Sequence, residues 1–67
     1  MIKLTRLNGS VYVLNSDMIE TIEATPDTVI SISETKKYIC KESVEEVIDK
    51  IIEFRGKILI YAETHKR

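Results

Sequence analysis

The fold turns on the stretch Ile22-Glu23-Ala24-Thr25-Pro26-Asp27-Thr28-Val29-Ile30, which holds the only proline of the chain with an apolar segment on each side. A residue before proline is pushed toward extended geometry, so Thr25 reads as the end of a strand. Proline presets the first central position of a tight turn and aspartate suits the second. Thr25 to Thr28 is therefore predicted to reverse the chain between two strands. A hairpin and a third strand are expected before it, and a hairpin and a helix after it.

On the N-terminal side, Ile2–Leu7 and Ser10–Asn15 alternate around Asn8-Gly9, a dipeptide suited to a two-residue hairpin turn. Such a turn sets Leu7 opposite Ser10, Arg6 opposite Val11 and Leu4 opposite Val13. It groups Ile2, Leu4, Val11 and Val13 on one face, with Leu7, Tyr12 and Leu14 on the other. Both faces are then apolar. Asn15-Ser16-Asp17 is a turn cluster. Met18–Ala24 reads as the third strand, with Met18, Ile22 and Ala24 on one side and Ile19 opposite; Ile19 and Ile22 would also allow one helical turn at its start.

On the C-terminal side, Thr28–Ser33 and Lys36–Lys41 form the second hairpin. A Glu34-Thr35 loop pairs Ile30 with Ile39 and Val29 with Cys40, although neither loop residue takes positive φ easily. Ser43 followed by Glu46 is a capping box. Val44, Val47, Ile48, Ile51, Ile52 and Phe54 share one helical face, so a helix starts near residue 44. Ile58, Leu59 and Ala62 continue that stripe in phase, which favours a helix running through Gly56 over a final strand at Lys57–Ala62. Residues 63–67 are expected to fray as a polar tail. The predicted fold is α+β, one domain spanning residues 1–67: a small antiparallel sheet or partial barrel of about five strands (2–41), then an amphipathic helix.

The chain has 67 residues, 43% of them hydrophobic and 31% charged, and a net charge of -1. A core this small sits near balance against the cost of ordering the chain. One cysteine, Cys40, and one histidine, His65, supply neither a disulfide nor a metal cluster. Self-association is the expected reinforcement, with Leu7, Tyr12, Leu14, Val44, Val47, Ile48 and Ile51 as the oligomer or core packing set. The net charge argues against a nucleic-acid partner. The longest apolar run, Ile58–Ala62, is too short for a membrane span. Residues 1–6 alternate rather than forming a signal-peptide core. A cytoplasmic protein is expected.

Catalytic chemistry finds little to work with. His65 sits in the charged tail, and Cys40 sits mid-strand with no histidine near it in sequence. Glu20 and Glu23 fall on opposite sides of a strand. Glu42, Glu45 and Glu46 read as a charge cluster at the helix start. Gly9 and Gly56 make no phosphate loop. No enzyme, cofactor or metal is expected. Lys36, Lys37, Tyr38 and Lys41 are the nearest approach to a nucleic-acid surface, but alternation splits them between two faces, and edge-strand lysines that discourage strand addition explain them better.

Asn8-Gly9, the run Val13 to Asp17, the run Ile19 to Ile30, Lys37-Tyr38 and the run Lys41 to Val47 together resemble the FlbD/SwrD family of small bacterial flagellar and swarming-motility proteins. The resemblance covers about residues 1–55 and is most specific around Thr25-Pro26-Asp27-Thr28. The chain departs from the family pattern at Glu34-Thr35, where an Asn-Gly-like loop is usual. The resemblance implies a non-enzymatic factor for motility at the cytoplasmic face of the flagellar motor, supporting motor power or stator engagement through contacts with an unidentified motor component. Thr25, Pro26 and Asp27 are the candidate interaction residues. Two alternatives stand beside this reading: a small RNA-binding post-transcriptional regulator, or an assembly scaffold for flagellar components.

Overall fold

A computed structural model describes residues 1–64, with side chains through Lys57. It has five antiparallel strands and a C-terminal helix: β1 Ile2–Thr5, β2 Val11–Leu14, β3 Thr21–Ala24, β4 Thr28–Ser31, β5 Lys37–Cys40 and α1 Val44–Thr64. The strands form two small sheets, ordered β1-β2 and β3-β4-β5. The α+β class and the strand-then-helix order agree with the sequence.

All three hairpin loops contain three residues, one more than the sequence reading gave. In the first, Arg6 N–H donates to the Ser10 carbonyl (2.7 Å) and Gly9 N–H to the Arg6 carbonyl (2.9 Å). A two-residue I′ turn needs positive φ at both positions, but only Gly9 adopts it (φ 92°). Asn8 instead uses its side-chain oxygen to accept from the Ser10 amide at 2.9 Å. Around Pro26, Ala24 pairs with Thr28, so Thr25, Pro26 and Asp27 are all loop; Thr25 N–H donates to the Asp27 carbonyl, and the Thr25–Pro26 peptide is cis. In the third, Ile32 N–H donates to the Lys36 carbonyl, and Ser33 Oγ accepts from the Lys36 amide at 3.0 Å.

The extra residue moves each register by one, which reverses which side chains share a face. Leu4 pairs with Tyr12 and Ile2 with Leu14, not Leu4 with Val13. Ile30 pairs with Tyr38 and Val29 with Ile39, not with Ile39 and Cys40. Ile2, Leu4, Tyr12 and Leu14 therefore line the inner face of the first sheet, while Val11 and Val13 lie outside at 62% and 57% exposure. The third strand is shorter than expected. A 3-10 turn, Ser16–Met18, precedes it, capped by Asn15, whose side chain accepts from the Asp17 amide. Met18 is exposed, whereas Ile19 packs on the core.

Among the described residues the buried core is Ile2, Leu4, Leu14, Ile30, Cys40 and Val47. Ile22, Ile51 and Phe54 are among the half-buried side chains around it. The capping box forms as expected: Ser43 N–H donates to Glu46 Oε1 (3.3 Å) and Glu46 N–H to Ser43 Oγ (3.1 Å). α1 continues through Gly56 to Thr64, so 63 and 64 are helical rather than a frayed tail. His65 and the rest of the predicted tail lie outside the described residues. Of the predicted helical stripe, Val47 is buried, while Ile48 and Ile52 are exposed.

The sheets meet through one end of β1. Lys41 N–H donates to the Thr5 carbonyl at 2.8 Å. The Glu42 carboxylate accepts from both the Thr5 amide and the Thr5 hydroxyl, each at 2.9 Å. These bonds satisfy backbone groups that β1 turns away from β2, at an edge where unpaired groups would be costly to bury.

Candidate functional site

Three chain reversals converge on one shallow groove of about 420 Å³. The β3–β4 loop brings Pro26 and Asp27, and the first hairpin loop brings Leu7. The connection from β5 and the first turn of α1 bring Lys41, Ser43, Val44 and Glu45. Thr25 is exposed beside it but is not part of the lining. The capping box fixes the helix start, and the Glu42–Thr5 bonds fix its distance from β1. The groove therefore has rigid walls on two sides. Its lining mixes apolar Leu7, Pro26 and Val44 with charged Asp27, Glu45 and Lys41, a mixture suited to a protein segment rather than to chemistry on a small substrate.

Cys40 lines the same groove but is 1% exposed. Burial first, and then the nearby Glu42 charge, push its thiol pKa up. Its Sγ lies 3.7 Å from the Glu42 carbonyl, to which it donates. A reactive cysteine needs the opposite environment. Among the described residues, no group of three or more His, Cys, Asp or Glu could hold a metal, and no helix is long and apolar enough to cross a membrane.

A second groove is lined by Arg6, Leu7, Asn8, Tyr12, Lys37, Tyr38 and Ile39. The Arg6 guanidinium sits over the Tyr12 ring, 4.6 Å from its centroid. Tyr12 also stacks on Tyr38 at 5.9 Å, and its hydroxyl donates to the Ile39 carbonyl at 3.1 Å. Burial, with the charges around it, pushes the Tyr12 pKa up. The structure thus joins Tyr38 and Lys37 to Arg6 and Tyr12, whereas Lys36 and Lys41 do not line this surface.

The sequence matches the family of flagellar and swarming motility proteins, FlbD, over residues 1–59. The chain belongs to the FlbD family. No curated protein and no solved structure gave a match. The match spans the groove and every strand that builds it, so family membership and the surface described above concern the same part of the chain.

Among the candidate residues of this FlbD protein, Pro26, Asp27, Leu7 and Val44 come together in the first groove. Tyr12 lines the second, Leu14 and Val47 lie in the core, Ile51 is half-buried and Ile48 is exposed on the helix. Sequence reasoning missed the role of Glu42, which it assigned to a helix-start charge cluster. Nothing local connects Glu42 to Thr5, 37 positions away. Burial pushes the Glu42 pKa up, but the Thr5 amide and hydroxyl outweigh it and hold the carboxyl below its usual range. Because the folded pKa is the lower one, this contribution is present above the unfolded value of about 4.3 and is lost as pH falls through the folded value. Urea unfolding at neutral and acid pH should show that loss in the wild type. Glu42→Gln should be less stable at neutral pH and should have a flatter acid limb.

Proposed function

We propose that this FlbD protein is a non-enzymatic cytoplasmic factor that helps the flagellar motor deliver power. It does so by supporting stator engagement through contacts with a motor component at the cytoplasmic face. One observation carries the reading: in a motility-family chain, the loop most specific to the family resemblance forms the wall of an exposed groove of mixed apolar and charged character. The buried, hydrogen-bonded Cys40 thiol argues in the same direction, because it is set for packing and not for attack.

Deleting the gene should reduce motor torque and swarming while leaving assembled flagella. Torque is read from beads attached to single filaments, and flagella are counted by electron microscopy. Normal torque and swarming in the deletion strain would remove the proposal. Absent filaments would favour an assembly scaffold instead.

A second reading has one observation behind it, the Arg6–Tyr12–Tyr38–Lys37 surface, because aromatic rings beside cations suit single-stranded RNA. It is the weaker of the two. Tyr12 already spends its ring on Arg6 and Tyr38 and its hydroxyl on Ile39, and the chain carries a net charge of -1. RNA titrations at two salt concentrations separate the readings, since phosphate-driven binding weakens steeply with salt.

A further inference from the structure

We infer that two copies of the chain pair through the outer edge of β2, antiparallel about a two-fold axis at Tyr12. Hydrogen-bonded and non-bonded pairs alternate along an antiparallel ladder. Arg6–Ser10 is a bonded pair, so Leu4–Tyr12 and Ile2–Leu14 are bonded as well, in the observed register. Thr5 and Val11 then turn their backbone groups away from each other. The Thr5 amide and carbonyl, engaged by Glu42 and Lys41, confirm that alternation on the β1 side. On the β2 side, the N–H and C=O groups of Val11 and Val13 point outward at the sheet edge.

This edge lacks the charged side chains and the proline that blunt many exposed strands, so its four residues are guarded only by their shortness. From Leu7 to Ser16 there is no charged residue and no proline. A second copy laid antiparallel with Tyr12 opposite Tyr12 bonds Val11 of each chain to Val13 of the other, through four N–H···O=C bonds. It also gathers four valines, now 57–62% exposed, on one face.

The edge of β3 argues for β2 by contrast. In the β3–β4 register, Ile22 and Ala24 turn their backbone groups outward, so the same two-fold pairing of β3 sets Glu23 directly against Glu23. Like charges opposite one another destabilise a pair. Pairing through β2 also closes on itself. The resulting sheet runs β1-β2-β2-β1, and each end is a β1 edge on which Thr5 is already engaged by Lys41 and Glu42. The assembly stops at two copies instead of growing into a fibre. The inference is independent of the motility reading.

Light scattering at the concentrations used for NMR should give twice the chain mass, and Val13→Lys should halve it with the circular dichroism unchanged. Ile52→Lys, an equally exposed position on the helix at 62%, should leave the dimer intact. Hydrogen exchange gives a readout without mutation. The Val11 and Val13 amides should exchange roughly tenfold slower in the concentrated protein than after dilution. A monomer at high concentration, fast exchange at both amides, or a dimer lost to Ile52→Lys but not to Val13→Lys would each overturn the pairing.

Discussion

Leu4→Ala is expected to leave the chain largely unfolded at room temperature. Leu4 is fully buried in β1 and shares with Ile30 of β4 and Val47 of the helix a core of six buried apolar side chains among the described residues. Truncating such a leucine costs about 2–5 kcal/mol, because the surrounding groups only partly collapse into the space. A domain of this size rarely has more than about 3–5 kcal/mol in total. The change therefore consumes most of the stability, and urea titration followed by circular dichroism will show little or no folded baseline. Met18→Ala, at an exposed position, should stay within about 0.5 kcal/mol of wild type. A Leu4→Ala protein with a full native transition and a loss below about 1 kcal/mol would show that the core is not the one described.

Much of this architecture was legible in the sequence, for local reasons. Ser43 and Glu46 mark the helix start with side chains that reach only three residues, and the apolar stripe past Gly56 follows from helical phase. Pro26 and Gly9 place two of the reversals. Register was not legible, because it depends on how each loop distributes its hydrogen bonds. Asn8 accepting from Ser10, and Ser33 from Lys36, each add one residue and exchange the inner and outer faces. Val11 and Val13 were read as companions of Ile2 and Leu4, and they face outward instead.

For the groove, the sequence pointed to Pro26 and Asp27 through turn chemistry and family resemblance, while Leu7 was assigned to packing. That Leu7 and Pro26 line the same groove follows only from long-range assembly. The Glu42 clamp on Thr5 belongs to the same class, a contact between distant positions with no periodic or spacing signal.

The groove leads to the second large effect. Leu7 is half exposed in a loop, lines the groove and contributes nothing to the buried core. Leu7→Asp should therefore fold normally while placing a charge in the groove that Leu7 lines with Pro26 and Val44. A desolvated charge without a partner costs a docked interface several kcal/mol, on the order of a thousandfold in affinity. Cells carrying only this variant are expected to swarm no better than the deletion strain. Asp27→Lys, which reverses the charge beside Pro26, should act in the same direction.

Single-motor torque in cells that express Leu7→Asp at wild-type abundance, with the purified variant shown to be folded, tests the docking role of the groove most directly. The account predicts torque reduced to the level of the deletion strain. Wild-type torque from a folded, normally abundant Leu7→Asp protein would contradict it.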